Sequence, residues 1–183
     1  MTRLATMADV PAINALIATS VRQLSAGFYT PAQVDAALEH VFGVDTQLVA
    51  DATYFVIDGE TGPVAAGGWS RRNTLYGGDQ AKGVADPLLD PARDPARIRA
   101  FFVHPDHARR GLARQLYELC ERAAREAGFR DLELMATLPG EPLYRALGFT
   151  VVERAAVTLA GVDVPFVRMT RHIATDDETP PRD

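Results

Sequence analysis

The 183-residue chain is 47% hydrophobic and 23% charged, a balance that suits one globular domain with a full core and excludes a chain disordered throughout. Its formal net charge of -5 argues against a general nucleic-acid binder, which needs a basic excess or stripe, and leaves room only for a local basic patch. A single cysteine, Cys120, excludes an internal disulfide framework. With no charged-then-apolar leader and no apolar run near the roughly 18 residues that cross a bilayer, a cytoplasmic protein away from membranes is expected.

Thr6 with Asp9 three residues on forms a capping-box pattern, and Val10, Ile13, Leu16, Ile17 and Val21 recur at helical spacing, which predicts a first helix of about four turns. Thr30 before Pro31 starts a second helix, whose face is Val34, Ala37, Leu38 and Val41 and which Gly43 ends. QLVADATYFVID, GETG and PVAAGGWSRR then read as β-rich segments joined by a glycine-containing turn, an antiparallel pair. Residues 73–94 show no sustained periodicity, and a loop of that length is expected to be functional: a partly ordered surface loop near a substrate mouth.

A strand over residues 97–104 leads through Pro105, Asp106, His107, Arg109 and Arg110 to Gly111. The helix beyond carries Leu112, Leu116, Leu119, Cys120 and Ala123 on one face until Gly128 stops it. LELMAT, residues 132–137, is a strand that the helical crossover sets parallel to 97–104. A short helix through Leu143 and Tyr144 ends at Gly148, and residues 150–159 and 164–170 make a final antiparallel pair. Residues 1–173 are expected to form one domain, and the polar, proline-containing stretch 174–183 a mobile tail.

The junction at Gly111 is where chemistry is expected. A helix start leaves N–H groups unpaired and carries about half a positive charge, so it suits an anion. Glycine permits close approach of a ligand oxygen to the backbone, Ala113 keeps the next turn small, and Arg109, Arg110 and Arg114 add positive charge. The set fits a pyrophosphate better than a lone carboxylate. A dinucleotide site is not indicated, because G-x-G-x-x-G is absent, and no Walker lysine pattern occurs either.

FFVHPDHARRGLARQLYE resembles the pyrophosphate-binding motif of the GNAT superfamily of acyl-CoA-dependent N-acetyltransferases, whose core is Arg or Gln, two residues, Gly, one residue, then Gly or Ala. Gly111 and Ala113 match; Ala108 stands in the first position, where Arg109 and Arg110 are expected to supply the polar contact. PLYRALGF, residues 142–149, resembles the family's tyrosine-bearing helix and the Gly-Phe turn after it. The resemblance implies an α/β fold with a central mixed, mostly antiparallel sheet flanked by helices and a splayed parallel strand pair. It also implies acetyl-CoA as co-substrate. The backbone at Phe102, Val103 and His104 would pair with the pantetheine arm like an added strand, and residues Arg109 to Arg114, with Gly111, Leu112 and Ala113 between them, would hold the pyrophosphate.

By the same resemblance Tyr144 is the general acid, able to protonate a departing thiolate, and the Val103 N–H is an oxyanion donor. The expected reaction moves acetyl to a primary amine of a small molecule or protein; the alternative is a non-catalytic acyl-CoA sensor. No base is identified: Glu133 is a candidate that could equally face solvent, and His104 and His107 are read as loop residues. Two histidines without a third ligand do not make a metal site, and Cys120 is read as core. Trp69, Arg71 and Tyr76, with Phe28 and Tyr29 between the first two helices, are candidates for acceptor recognition, the other reading for Trp69 being the core. An exposed edge strand could pair two copies into a dimer.

Overall fold

The computed structural model describes residues 1–83 and 85–173; the tail expected over 174–183 lies outside them. In chain order the elements are β1 (Thr2–Leu4), α1 (Val10–Leu24), α2 (Pro31–His40), α3 (Thr46–Ala50), β2 (Tyr54–Asp58), β3 (Pro63–Ser70), β4 (Ala96–Val103), α4 (Leu112–Glu126), β5 (Asp131–Thr137), α5 (Glu141–Ala146), β6 (Thr150–Leu159) and β7 (Val162–His172). The strands form one sheet in the order β1-β2-β3-β4-β5-β7-β6. Every neighbouring pair is antiparallel except β4 and β5.

Alternation along the strands sends side chains to the two faces of the sheet. Tyr54, Val56, Ala66 and Phe166 pack under α1 and α2, whereas Ile98, Leu134, Val167 and Met169 pack under α4 and α5. The first helix begins as expected, with the Asp9 carboxylate accepting from the Thr6 N–H at 2.7 Å, although its first turn, Met7–Asp9, is a tight 3-10 turn. In α2 the Thr30 hydroxyl accepts from the Gln33 N–H at 3.2 Å, and the helix ends at His40, before Gly43.

Two elements differ from the sequence reading. QLVADATYFVID is not strand throughout: residues Thr46–Ala50 form α3, because the Asp45 carboxylate accepts from the Gln47 N–H at 2.9 Å and caps a helical turn. The sheet also gains β1, whose three residues pair with β2 at its edge. Residues 73–94 hold the 3-10 turn Asp79–Ala81; the Gly78 and Asp79 N–H groups donate to the carbonyls of Val41 and Val44, the Leu89 N–H to that of Arg71, and from β4 the Arg99 side chain donates to the carbonyls of Thr74 and Gly77.

Candidate active site

β4 and β5 pair only through Ala96↔Leu132 and Arg97↔Glu133, and then diverge. The divergence begins next to a bulge in β4. Between the pairs Ala66↔Phe102 and Gly68↔Arg99, β4 carries one more residue than β3, and Ala100 lies at φ 54. The Tyr54 hydroxyl donates to the Ala100 carbonyl at 3.0 Å and holds this conformation. Beyond the bulge the His104 N–H donates to the Val64 carbonyl at 2.8 Å. Hydrogen-bonded positions alternate along an antiparallel pair, so Val103 turns its N–H away from β3 into the open gap.

A cavity of about 650 Å³ fills that gap and passes from one face of the sheet to the other. On the α4 side it is lined by Val103, Tyr144 and the start of α4; on the α1 side by Phe42, Tyr76, Phe102 and Phe166. At the α4 start Gly111 has φ 80, and the Gln115 N–H is the first to bond back into the helix, to the Gly111 carbonyl at 3.0 Å. Among the described residues the N–H groups of Leu112, Ala113 and Arg114 therefore have no partner, and all three residues line the cavity. A Cβ built on Gly111 would meet nothing within 4 Å, so the space before the helix is open. These residues fit a coenzyme A diphosphate: unpaired donors, room, and the Arg109 and Arg114 cations on the wall.

Tyr144 sits in α5 with its ring edge-on to Phe149 at 5.7 Å and tilted against Phe101 at 6.4 Å. It is 9% exposed, and among the described residues its hydroxyl has no protein hydrogen-bond partner. Burial pushes its pKa above the usual tyrosine value, with the buried Cys120 adding in the same direction, so the phenol stays protonated. Cys120 is itself fully buried, and burial alone raises its thiol far from the thiolate form.

Several candidate residues lie elsewhere. His104 spends its N–H on β3, so it cannot offer that donor to a bound arm. By the same alternation the Phe102 backbone faces β3 at Ala66, and Phe102 contributes its ring to the cavity instead. Arg110 is exposed and does not line the cavity. Trp69 falls on the α4 face of β3, packed edge-on to Phe129 at 6.2 Å in the core, and the neighbouring Arg71 is exposed and away from the opening. Tyr29 is a brace: its hydroxyl donates to the Pro165 carbonyl at 2.7 Å and accepts from the Leu138 N–H at 3.0 Å. Phe28 and Tyr76 do line the cavity, Phe28 at its exposed rim. Glu133 is buried between Arg97 and Arg168, with an ion pair to each, and lies outside the cavity.

The sequence reading did not single out Phe42, Phe166 or the guanidinium of Arg99 as cavity walls. Apolar aromatics in regular elements read as core, and only Arg99, a charge inside the apolar run IRAFFV, carried a signal. Arg99 donates to the Asp45 carboxylate at 2.9 Å and to the carbonyls of Thr74 at 2.8 Å and Gly77 at 2.7 Å. These bonds hold residues 74–77 over the α1 side of the cavity. Among the described residues no three His, Cys, Asp or Glu side chains gather as a metal-binding group. None of the described helices is long and apolar enough to cross a membrane.

Comparison with known proteins agrees with this geometry. The sequence profile of the acetyltransferase (GNAT) family matches residues 19–149. The chain belongs to the GNAT family. No curated protein matches it in sequence. Among solved structures, a GCN5-related N-acetyltransferase from Rhodopseudomonas palustris superposes with a TM-score of 0.70 at 20% identity, covering 94% of this chain and 95% of that one. The PaiA N-acetyltransferase of Thermoplasma acidophilum, crystallised in complex with coenzyme A, gives 0.62 at 10% identity, covering 94% and 98%. YncA from Salmonella typhimurium, crystallised with its cofactor acetyl-CoA, gives 0.61 at 17% identity over 100% and 98%. At these identities the likeness establishes the GNAT fold: a mixed, mostly antiparallel sheet with one parallel, splayed pair, flanked by helices.

Proposed function

We propose that this GNAT protein transfers an acetyl group from acetyl-CoA to a primary amine of a small molecule or protein by direct attack, with Tyr144 as general acid. One observation carries the reading: the start of α4, the gap-facing N–H of Val103 and the unpartnered Tyr144 hydroxyl all border the same cavity. Acetyl-CoA, when bound, supplies an electrophilic thioester carbonyl and a thiolate leaving group. The N–H groups of Leu112 to Arg114 would hold its diphosphate, and Val103 would donate to the carbonyl oxygen as negative charge builds there. Tyr144, kept protonated by burial, would pass its proton to the departing sulfur.

No carboxylate lines the cavity among the described residues, so the amine must reach the thioester already neutral or lose its proton to water. The test is a screen of amines with acetyl-CoA that follows release of free thiol. Release with at least one acceptor class is the expected result. Tight acetyl-CoA binding with no release across all classes would defeat the catalytic reading.

A further inference from the structure

The α1 side of the cavity has a composition that says more about the acceptor. Its wall is a cluster of aromatic rings: Phe42 meets Phe102 edge-on at 5.8 Å and Phe166 edge-on at 6.1 Å, and Tyr76 stacks on Phe166 at 6.1 Å. Phe28, 49% exposed, adds a further ring at the rim. The formal charges on the cavity wall are arginines, with no Asp or Glu among the described lining residues. Asp45, which approaches this wall from behind, is spent: it accepts from Arg99 and from the Gln47 N–H and pairs with Lys82. Asp86, which also acts on Arg99, accepts from the Thr74 N–H at 2.7 Å, so the carboxylates behind the wall are engaged and neither is among its lining residues.

An ammonium ion entering this chamber would lose its hydration, find no carboxylate, and meet Arg99. A flat neutral ring would meet aromatic faces and edges at the spacings such groups favour. Two neutral polar groups are also present. The hydroxyls of Ser20 and Ser25, residues only 5% and 4% exposed, line the cavity and have no protein partner among the described residues. Each can accept an N–H without demanding a charge.

Resting on the acetyl-transfer reading, we propose that the acceptor is an aromatic amine that carries no proton charge at neutral pH, such as an aniline, and not a polyamine or a lysine side chain. The lone pair of the neutral nitrogen forms the C–N bond to the thioester carbonyl carbon and the C–S bond breaks. The sulfur takes the Tyr144 proton, and the surplus N–H proton leaves through water to restore the phenol, giving an anilide and free thiol. Such an amine needs no enzymic base, which agrees with the absence of a carboxylate on the described wall.

The test pairs binding with turnover. 4-Ethylaniline, spermidine and a lysine-containing peptide are titrated by calorimetry against the protein saturated with coenzyme A, and the same amines are assayed with acetyl-CoA for thiol release. 4-Ethylaniline should bind and turn over with a rate that does not climb with amine deprotonation between about pH 6 and 9. Placing a carboxylate at the rim by Phe28→Glu should raise the ratio of spermidine to aniline kcat/KM by roughly tenfold, the scale of one local charge contact. Spermidine or the peptide binding more tightly than the aniline in the unaltered protein would overturn the inference, and thiol release from those amines would show that acetyl transfer stands without it. Aniline binding with no thiol release from any amine would uphold the inference about the chamber and remove the transfer reading instead.

Discussion

The Tyr54 hydroxyl reaches from β2 across β3 to the carbonyl of Ala100 at 3.0 Å, tying a fully buried ring to the β4 residue that bends into positive φ. That one bond braces the bulge that lies just past the last β4–β5 pair, on the wall of the cavity. A non-glycine residue in the left-handed region costs about 1–2 kcal/mol, and the lost bond of Tyr54→Phe costs about 1 kcal/mol. Tyr54→Phe should therefore lower the melting temperature by about 2–4 °C for a chain of this size and raise KM for acetyl-CoA several-fold. Ala100→Gly, which relieves the same strain, should leave stability equal or higher. A Tyr54→Phe protein with unaltered melting and KM would show that the bulge holds without the bond.

Tyr144 offers a separate test by pH. A phenol donates only while protonated, and burial raises its pKa above the ordinary value near 10. Activity should therefore persist as pH rises through 9 and 10, because the donor form survives past the point where an exposed tyrosine would ionise. Tyr144→Phe should lower kcat by about 10²–10⁴-fold, the usual contribution of a positioned acid, while the dissociation constant for acetyl-CoA changes little. Steady-state kinetics beside calorimetry separates the two. An unchanged kcat would take the proton away from Tyr144.

The helix start at Gly111 and the short helix that carries Tyr144 were readable because local spacing and the glycines at 111 and 148 fix them, whereas the role expected of Tyr144 came only from the likeness of PLYRALGF to the GNAT motif. Trp69 was ambiguous until the register of β3 set it on the α4 face, since a one-residue change would have turned it to the other. The bulge at Ala100 left no trace, because alanine does not favour positive φ and the side chain that bonds to its carbonyl, Tyr54, is 46 residues away. α3 was missed because Leu48 and Val49 suit a strand or a helix equally, and the deciding cap at Asp45 is one side-chain bond.

Gly111 permits strain and binding to be told apart. Its φ of 80 makes any Cβ costly by about 1–2 kcal/mol, while a Cβ there meets no protein atom within 4 Å. Gly111→Ala should lose only that modest stability. If a diphosphate lies against this turn, coenzyme A affinity should fall by more than tenfold, and dephospho-coenzyme A, which keeps the diphosphate, should suffer equally. Calorimetry with both ligands checks this; a loss for neither would move the diphosphate elsewhere.

Acid stability should depend on Asp51. Arg72 donates to it from Nε at 2.6 Å and from Nη2 at 3.0 Å, and this pairing holds the partly buried carboxyl below the usual range, with Gln47 assisting. A carboxylate whose folded pKa is depressed contributes stability that is fully present above its unfolded value near 3.9 and is lost as pH falls through the folded value. Urea midpoints of the wild-type protein should therefore drop below about pH 4 by more than those of Arg72→Met, whose curve starts lower and is flatter across that range. Parallel curves for the two proteins would show that the pair carries no acid-linked stability.

The bond between Arg99 and Asp45 joins stability to the α1 side of the cavity. Both side chains are 1% exposed, and burial pulls the Arg99 guanidinium below its usual pKa against the opposing pull of Asp45. Removing one partner leaves a buried charge unpaired, so Asp45→Ala should cost about 3–5 kcal/mol, whereas Asp45→Leu with Arg99→Met, which removes both charges, should recover part of it, the α3 cap at the Gln47 N–H and the pair with Lys82 staying lost. The double variant still lacks the donors that Arg99 gives to the Thr74 and Gly77 carbonyls, and Tyr76 lies between them. It should therefore fold, bind coenzyme A normally and show a raised KM for the acceptor alone. Urea unfolding and two-substrate kinetics read these separately. Recovery of stability together with an unchanged acceptor KM would mean that residues 74–77 keep their place over the cavity without Arg99.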